Sequence, residues 1–590
     1  MCGIFGLFNW THFTQEVLNA LLQGFLRGKG RGPDNMGFDV TTVKHAILGF
    51  HRLSINGLDA KSNQPMCVDD CVLLCNGEIY NWRNLLQLTG AKAETNSDCE
   101  SIIHCYRTYG IEKTLNLLDG VFAFVLYDQR LKKLFVARDP YGVRPMFLFR
   151  GKGGTPFFGI ASELKMATHV TNETLRNVID PRTIRQFPPG SYYVFSRFNG
   201  HETGALTLQE LVKYSSPYSF CGNVILQEDI ALQSIRHSLE SAVKKRVENT
   251  DRPIACLLSG GLDSSLICAL VNKVYQGLQS ENGDDSGKMR PLETYSIGLE
   301  GSDDLRYARM VAEHLGTKHR EIVVTEEDML SKIPNVVYTI ESYDTTTVRA
   351  SVGNYSVCEV ISKESDAKVI FNGDGSDEVC GGYMYFHCAP DAESFDYECK
   401  RLLNEIASFD VLRSDRSISH HGLEARTPFL DRSFVHTYLS ISKDLRWKTT
   451  KAHCEKYLLR KAFDATDLLP KAVLWRTKEA FSDGVSKQTK SWYQIIQDHV
   501  DSMPHKSRAF AIDGSIEQNH PQTDEQLWYR AMFRKHFPEC DHVIPHFWMP
   551  SFVEGATDAS ARTLDIYREK HKKEGENENN VESEVENENE

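Results

Sequence analysis

Cys2 follows the first methionine of the chain, in the stretch MCGIFG. Removal of Met1 would give Cys2 a free α-amine beside its thiol. Because an α-amine titrates near ~8 and a thiol near ~8.5, the amine can accept the thiol proton close to neutral pH. A nucleophile that carries its own base is the arrangement of N-terminal nucleophiles. A lone cysteine is more often inert, so this interpretation depends on other residues.

The first hundred residues also contain side chains that could bind an amide substrate and stabilise its reaction with a thiol. Thiolate attack on a carboxamide makes an oxyanion, which the Asn76 side chain and the Gly77 backbone N–H can stabilise, each by about 3 kcal/mol. Arg52 suits the carboxylate of a free amino acid, and Asp98 suits its ammonium. Each residue also has a simpler explanation. Asn76-Gly77 is typical of a hairpin turn, and Arg52 and Asp98 are typical of surface ion pairs.

A second group of residues begins with SGGLDSS at positions 259–265, between a predicted strand and a predicted helix. Gly260 and Gly261 let the backbone approach a phosphate, and the helix N-terminus presents N–H groups to its charge. Ser259 and Ser264 add hydroxyl donors. The Gly-Lys-Ser/Thr end of a Walker A loop is missing. The complete string favours a pyrophosphate-binding loop of an ATP-α-cleaving enzyme over a serine-rich helix cap.

Carboxylates accompany this loop. Asp263 lies inside it, and Asp374 and Asp377 lie in a second acidic loop after a predicted strand. AMP transfer to a carboxylate requires Mg²⁺ across the phosphates, with carboxylate ligands. In α/β sheets such groups follow strands. A calcium site or a plain turn is the simpler alternative for the second loop, which lacks the spacing of an EF-hand.

The two groups of residues lie in parts of the chain that have different predicted secondary structure. The first ~200 residues predict a largely antiparallel α+β domain. Its predicted strands are Ala46–Leu53, Val72–Leu74, Val121–Tyr127 and Lys133–Arg138, with a helix at Asp98–Tyr109. Strands then alternate with helices, which indicates a doubly wound parallel sheet. Its predicted elements are helix Glu228–Glu248, strand Pro253–Leu258, helix Leu262–Gln279, loop Ser280–Lys288, strand Leu292–Ile297, helix Asp304–Leu315, and strands Glu321–Val324 and Lys368–Phe371. The rest, to about residue 560, is expected to be mainly helical.

Composition limits the class of protein. A chain of 590 residues is too long for a single hydrophobic core, so two or more domains are expected. No apolar run approaches the ~18 residues of a membrane span, and no secretion signal is visible. The 15 scattered cysteines fit reduced thiols in the cytoplasm. The net charge of -13 includes eight glutamates in residues 574–590, which predicts a disordered tail. No basic patch suggests nucleic acid.

The order of residues behind Cys2 resembles the class II glutamine amidotransferase domain, over about residues 2–200. With the later motifs, almost the whole chain to about residue 566 resembles the glutamine-hydrolysing asparagine synthetases. Further matching stretches are residues 341–351 (ESYDTTTVRAS), 422–431 (GLEARTPFLD) and 475–484 (WRTKEAFSDG). The resemblance implies an N-terminal-nucleophile αββα sandwich, followed by a doubly wound ATP-pyrophosphatase domain with added helices. The expected limits are 2–205 for the glutaminase domain, 206–227 for a linker, 228–566 for the synthetase domain and 567–590 for the tail.

The resemblance also implies roles. Cys2 would be the nucleophile, with Asn76 and Gly77 as the oxyanion hole. Glutamine would be held by Arg52, Leu53, Ser54, Ile55, Asn56, Asn76, Gly77, Glu78 and Asp98. ATP would contact Leu258, Ile297, Asn372 and Gly373 besides the loop that contains Ser259, Gly260, Gly261, Asp263 and Ser264. Asp263 and Asp377 would bind Mg²⁺, Lys478 would neutralise developing charge, and Arg349 would clamp aspartate or a phosphate. For Lys478 the simpler alternative is an ordinary surface lysine.

Two positions depart from the family pattern. Gly30 stands where the family commonly has histidine, which we expect to affect local packing. Asp374 stands where the family has a glutamate thought to assist formation of β-aspartyl-AMP. Aspartate keeps the charge but is one methylene shorter, so we expect slower synthetase chemistry.

The expected reaction uses glutamine, aspartate and ATP and yields asparagine, glutamate, AMP and pyrophosphate. One alternative is an amidotransferase with a different acceptor acid, which assays of pyrophosphate release would separate. A second is a catalytically idle homologue that serves as a binding or regulatory subunit, which lack of ATP–pyrophosphate exchange would support. The sequence does not define the oligomeric state, for which a homodimer is one option.

Overall fold

The computed structural model describes residues 1–10, 14–168, 173–197, 204–218, 222–282, 290–479, 484–486, 490–504, 516–556 and 558–563. The predicted tail, most of the predicted loop Ser280–Lys288 and residues 480–483 lie outside the described residues. Within the described part, no helix is both long enough and apolar enough to cross a membrane.

The N-terminal part contains two six-stranded sheets. The first has the order β10-β8-β9-β1-β3-β2 and the second the order β12-β11-β7-β6-β5-β4. Their pairings are antiparallel. The strands are β1 Gly3–Phe8, β2 Asn35–Asp39, β3 Ala46–Arg52, β4 Met66–Val68, β5 Cys71–Ile79, β6 Gly120–Asp128, β7 Lys133–Arg138, β8 Phe147–Arg150, β9 Phe158–Ala161, β10 Arg185–Gln186, β11 Ser191–Arg197 and β12 Leu206–Lys213.

Alternation along these strands builds the layers, because successive side chains of a strand point to opposite faces. Leu74 and Val125 face the core between the two sheets. Leu73 and Phe124 face the helices that cover the second sheet, Trp82–Thr89, Glu100–Tyr109 and Ile111–Leu117. On the outer face of the first sheet, Phe5 packs with helix Gln15–Leu26. The result is the predicted αββα sandwich.

Two local predictions in this domain are wrong. Asn76 and Gly77 do not form a turn, because they lie inside β5 and pair with Ala123 and Phe122 of β6. Residues 206–213, predicted as the start of a linker, form β12, which pairs with β11. In both cases, pairing with a neighbouring strand determines the backbone conformation and overrides the local sequence preference.

The C-terminal part is built on a five-stranded sheet in which every pairing is parallel. Its order is β15-β14-β13-β16-β17, and its strands are β13 Ile254–Leu257, β14 Glu293–Leu299, β15 Lys318–Val324, β16 Val369–Phe371 and β17 Glu424–Arg426. The strand order reverses between β13 and β16, which is where open α/β sheets bind ligands. The doubly wound prediction is confirmed, but β17 was not predicted.

Helices surround the parallel sheet. Helix Glu228–Glu248 has the predicted bounds, and helix Leu262–Asn282 continues three residues beyond its predicted end, into the predicted loop. Among the described residues, the other α-helices of this part are Asp303–Leu315, Glu326–Ile340, Thr345–Glu364, Ser376–Cys380, Ala392–Glu405, Asp410–Ser419, Arg432–Leu439, Lys443–Ala452, Tyr457–Phe463, Lys471–Leu474, Trp492–Ser502 and Asp524–His536, and the sandwich adds the short helices Leu164–Ala167 and Glu173–Val178.

Buried charges join the two parts. Arg31 Nη1 lies 2.6 Å from Asp415 Oδ1 in the C-terminal part and 3.1 Å from Glu163 Oε1 in the sandwich. A Cβ at Gly30 would lie 2.6 Å from the backbone oxygen of His420. A larger residue, such as the family's histidine, therefore requires a different approach of the two parts at this position.

Replacing Arg31 with methionine should destabilise the interface, because it removes the 2.6 Å partner of buried Asp415 and leaves Arg144 at 3.6 Å, at a cost of about 3–5 kcal/mol. Calorimetry should show a thermal midpoint lower by about 5 °C or more. Arg107→Met removes an exposed ion pair with Asp69 and should change the midpoint by about 1 °C or less. Equal midpoints for both variants would contradict the assignment of the Arg31 pair as a domain contact.

Candidate active sites

Cys2 lies immediately before β1 at the boundary between the two parts. Its thiol donates a hydrogen bond to the Leu53 carbonyl at 3.6 Å, and its own carbonyl accepts one from Arg31 Nε at 2.8 Å. Burial raises the pKa of the thiol, and the neighbouring Arg52 charge opposes that shift. The thiol is therefore positioned between two strand ends, and forming its thiolate requires a nearby positive charge or base.

Met1 is 1 % exposed, and its ammonium donates to the Leu423 carbonyl at 3.2 Å. Burial lowers the pKa of this ammonium to about 6, against the opposing charge of Glu424. Its buried position places Met1 between the sandwich and the segment before β17. While Met1 is attached, the Cys2 nitrogen is an amide and cannot act as a base.

The Asn76 side chain is fully buried, and neither its amide nitrogen nor its amide oxygen has a hydrogen-bond partner among the described residues. Leaving a buried amide unpaired costs about 1–3 kcal/mol, which marks it as a group that receives a ligand. Next to it, a Cβ at Gly77 would lie 2.5 Å from the Val121 carbonyl oxygen. Only glycine fits in this strand pairing.

Arg52 is held by the loop that follows its strand. Its Nη1 donates to the Asp59 carbonyl at 2.8 Å and to Asn63 Oδ1 at 2.6 Å, and its Nη2 donates to the Gly57 carbonyl. In this arrangement Arg52 orders residues 57–63, and both of its terminal nitrogens are already bonded. Its predicted contact with a substrate carboxylate requires that some of these bonds be exchanged.

The acidic residues of this site are buried together. Asp98 Oδ2 accepts from the Ile79 N–H at 2.6 Å, and burial raises the pKa of Asp98 to about 6. Burial, followed by the charge of Asp98, raises the pKa of Glu78 well above its ordinary value. Glu78 accepts from Asn56 Nδ2 at 2.6 Å and lies 3.3 Å from Arg426 Nη2.

Among the remaining residues predicted for this site, Leu53 contacts the Cys2 thiol through its carbonyl. Leu53, Ser54 and Ile55 are buried. The Ser54 N–H donates to Asp34 Oδ2 at 2.8 Å, so the turn that follows residue 31 fixes this segment.

The second site is a cavity of about 180 Å³ at the carboxyl ends of β13 and β16. Its wall contains eleven of the residues predicted from sequence: Leu258, Ser259, Gly261, Asp263, Ser264, Ile297, Asn372, Gly373, Asp374, Asp377 and Lys478. Gly260 is not among the lining residues. Its φ is +73°, and a Cβ there would lie 2.5 Å from the Ala308 backbone nitrogen, so it lets the loop pack against helix Asp303–Leu315.

Two lysines and two aspartates form the charged centre of this cavity. Lys456 Nζ lies 2.6 Å from Asp263 Oδ2 and 2.5 Å from Asp377 Oδ1. Lys478 Nζ lies 2.7 Å from Asp377 Oδ2 and 3.8 Å from Asp263 Oδ2. Burial opposes ionisation of Asp377, but the two lysines hold its pKa well below the ordinary value. The Asp377 carboxylate therefore remains charged although it is buried.

Asp374 lies on the neighbouring wall. Its Oδ1 is 3.3 Å from Arg413 Nη2, and Arg413 Nε donates to Asp410 Oδ1 at 3.0 Å. Burial raises the pKa of Asp374, and Arg413 opposes that shift. The second oxygen, Oδ2, is buried and lacks a hydrogen-bond partner within the described chain. Asp374 therefore keeps one acceptor directed away from Arg413.

The carboxylates suit a hard cation. Asp377 Oδ1 is buried and accepts no aligned hydrogen bond from the described residues, although the Lys456 ammonium is close. Mg²⁺ is commonly bound by one or two carboxylates together with substrate phosphates. Asp263 and Asp377 provide two carboxylates from adjacent loops, so the donor set fits that ion.

Arg349, the predicted clamp, pairs with two carboxylates. Its guanidinium forms two-pronged ion pairs with Glu525, at 2.9 and 2.6 Å, and with Asp558, at 2.8 and 2.7 Å. It is 4 % exposed and is absent from the cavity wall, although Thr346 and Ala350 of the same helix line the cavity. Arg349 thus pairs with Glu525 and Asp558 outside the cavity wall, and its role as a clamp stays a prediction.

Lys456 and Arg413 were not predicted from sequence. Lys456 precedes helix Tyr457–Phe463, and Arg413 lies in helix Asp410–Ser419. Neither lies in a glycine-rich or acidic loop. The signal that marks Lys456 is its backbone φ of +56°, which is uncommon for lysine and becomes visible only in the structure.

Comparison with known proteins identifies both parts. Residues 1–203 match the family model for the glutamine amidotransferase domain, and residues 234–396 and 389–560 match the model for asparagine synthase. The chain is 40% identical over 582 residues to asparagine synthetase [glutamine-hydrolyzing] of Gallus gallus, covering 96% of this chain and 99% of that relative. The corresponding proteins of Mus musculus and Homo sapiens are 40% and 39% identical over 583 and 588 residues, with the same coverage.

An N-terminal amidotransferase sandwich joined to a parallel sheet with a phosphate loop defines a two-site amidotransferase. With both family models matched over most of its length, the chain belongs to the family of glutamine-hydrolysing asparagine synthetases.

Replacing Arg349 with methionine should remove a structural contact. Glu525 is 1 % exposed and would be left without its partner, at a cost of about 3 kcal/mol or more. We expect a thermal midpoint lower by about 5 °C or more, measured by calorimetry.

The control Arg309→Met removes a pair with Glu321 in which the arginine side chain is 57 % exposed. It should leave the midpoint within about 1 °C. An unchanged midpoint for Arg349→Met, with weakened binding of a nucleotide or amino acid, would support the predicted clamp.

Proposed function

We propose that this chain synthesises asparagine from aspartate, with glutamine as the nitrogen donor and ATP as the activator. The observation that carries the proposal is the pairing of two sites in one chain. One has the Cys2 thiol immediately before β1 and, on β5 of the same domain, a buried amide with no hydrogen-bond partner among the described residues; the other has two carboxylates at the strand ends beside a glycine-rich loop. Full-length similarity to asparagine synthetases supports the same substrates.

In the first half-reaction, removal of Met1 would expose the α-amine of Cys2. The amine takes the thiol proton, and the sulfur attacks the side-chain carbonyl carbon of glutamine. Asn76 and the Gly77 N–H stabilise the oxyanion. Ammonia leaves as the C–N bond breaks, and water then cleaves the γ-glutamyl thioester to glutamate. Asp98 and the segment from Arg52 to Asn56 are proposed to hold the amino acid.

In the second half-reaction, the β-carboxylate of aspartate attacks the α-phosphorus of ATP, and pyrophosphate leaves. Ammonia then attacks the carbonyl carbon of β-aspartyl-AMP, and AMP leaves. Asp263 and Asp377 would hold Mg²⁺, which neutralises phosphate charge when bound. The Lys478 side chain is 18 % exposed, so its ammonium can move from Asp377 toward a phosphate. Gly261, which lines the cavity, would let the loop approach pyrophosphate, while Gly260 packs the loop against helix Asp303–Leu315.

The interface supports transfer of ammonia between the sites. Glu78 follows the proposed oxyanion residues and contacts Arg426 of β17. The Arg426 carbonyl accepts from the Asn372 N–H at 3.1 Å, at the start of the acidic ATP loop. The two sites thus lie on opposite sides of one buried boundary. Most free ammonia is protonated in neutral water, so a closed route preserves the nucleophile.

We also propose that the boundary between the glutaminase domain and the synthetase domain lies at about residues 214–227. These residues separate β12 from helix Glu228–Glu248. The scattered cysteines support a reducing, cytoplasmic setting. A homodimer stays a prediction, which sedimentation at several concentrations tests.

Cys2→Ala should abolish asparagine formation from glutamine and preserve formation from added ammonium, because only the first half-reaction needs the thiol. Asparagine is measured chromatographically with each nitrogen source. Cys67→Ala, at an exposed cysteine, is the matched control and should retain both activities. Glutamine-dependent synthesis by Cys2→Ala at the unsubstituted rate would refute the assignment.

Asp374→Glu should accelerate the synthetase half-reaction, because the carboxylate reaches one methylene farther into the cavity. We expect the kcat for pyrophosphate release to rise by about fivefold, a barrier change near 1 kcal/mol. Asp374→Asn is the control, since it keeps the length, removes the charge and should slow the reaction. A rate for Asp374→Glu equal to or below the original would contradict the expectation.

A further inference from the structure

The Lys456 side chain lies between two acidic loops, which follow different strands of the parallel sheet. Its ammonium contacts Asp263, after β13, and Asp377, after β16, at 2.6 and 2.5 Å. The Lys456 side chain is 1 % exposed, whereas that of Lys478 is 18 % exposed. Both lysines line the cavity, but Lys456 is the enclosed one and Lys478 is the more exposed one.

The surrounding backbone is shaped to hold this side chain. A Cβ at Gly382 would lie 1.9 Å from Lys456 Cε and 2.3 Å from Asp377 Oδ1, so glycine leaves a slot that the lysine fills. Lys456 itself has a φ of +56°. This left-handed conformation is costly for a residue with a side chain and persists where neighbouring structure enforces it.

The charges within the cluster balance. Two ammonium groups face two carboxylates, so the formal charge of Asp263, Asp377, Lys456 and Lys478 is neutral. No cluster of three histidine, cysteine, aspartate or glutamate side chains able to hold a metal occurs in the part of the chain that the structure describes. A free divalent cation would therefore gain only two carboxylates while it faces a buried ammonium.

A polyphosphate changes this balance. Its oxygens add ligands for the metal, and its negative charge offsets the enclosed ammonium. Mg²⁺ is reluctant to lose its waters and is commonly held by one or two carboxylates plus substrate phosphates. The cluster is thus suited to a metal that arrives with the nucleotide.

We infer that Lys456 is a positioning residue that keeps Asp263 and Asp377 together and closed to free divalent cations, so that Mg²⁺ enters only with a polyphosphate. This inference rests on the proposed magnesium site and goes beyond it, because it assigns an order of binding and the residue that imposes it. Lys456 would act through the two carboxylates that it contacts.

Calorimetric titration of the full chain with MgCl₂ alone tests the inference. The unsubstituted protein should show no saturable Mg²⁺ binding at millimolar concentrations, and it should bind Mg²⁺ once α,β-methylene-ATP is present. Lys456→Met keeps the length of the side chain and removes its charge. It should show saturable Mg²⁺ binding without nucleotide, with a Kd about tenfold or more below the millimolar concentrations at which the unsubstituted protein binds none.

Two variants serve as controls. Lys456→Arg keeps a cation between the carboxylates and should still exclude free Mg²⁺. Lys478→Met removes the lysine that is 3.8 Å from Asp263 and leaves Lys456 in place, so it should also exclude free Mg²⁺. Should Lys456→Met fail to fold, the two titrations of the unsubstituted protein still test the order of binding.

Saturable binding of Mg²⁺ alone to the unsubstituted protein would overturn the inference. So would a Lys456→Met protein that folds and gains no Mg²⁺ affinity. If the unsubstituted protein binds Mg²⁺ with the nucleotide analogue but Lys456→Met gains nothing, the inference fails and the proposed metal site stands. If the analogue promotes no Mg²⁺ binding, the metal site of the proposed function fails as well.

Discussion

The parallel sheet brings two acidic loops to one edge, and a buried ammonium lets them remain together. The strand order reverses between β13 and β16, so the loops after these strands lie side by side. Asp263 and Asp377 would repel each other across this gap if nothing lay between them. The Lys456 ammonium offsets this repulsion, because it lies 2.6 and 2.5 Å from the two carboxylates. The shape of the cavity at this edge of the sheet depends on this contact.

Buried ion pairs also join the N-terminal sandwich to the C-terminal part. Arg31 joins the sandwich to helix Asp410–Ser419, and Arg426 joins β17 to the strand that carries Asn76. Buried ion pairs are a weak source of stability but a costly contact to break. They fix how the two parts meet, and so they fix the relation of the thiol site to the cavity.

Much of this arrangement follows from the sequence, and the rest depends on distant contacts. Strands with clear alternation, such as Lys133–Arg138, and the glycine-rich turn between β13 and helix Leu262–Asn282 were predictable because their signals are local. Asn76-Gly77 has the local signature of a turn, yet pairing with β6 keeps it extended. The short strand β17 has too few residues for a periodic signal. Lys456 lies about 80 residues beyond Asp377 in the chain, and only the tertiary fold joins them.

The coupling of an amide-derived nitrogen to an adenylated acid can be measured in one reaction. The chain is incubated with glutamine labelled with ¹⁵N in the side-chain amide, aspartate, Mg-ATP and excess unlabelled ammonium at a pH near neutrality. Two sites on one buried boundary predict asparagine that carries ¹⁵N in its amide, formed in equal amounts with AMP. Asparagine with unlabelled amide nitrogen, or formation of ADP in place of AMP, would contradict the account.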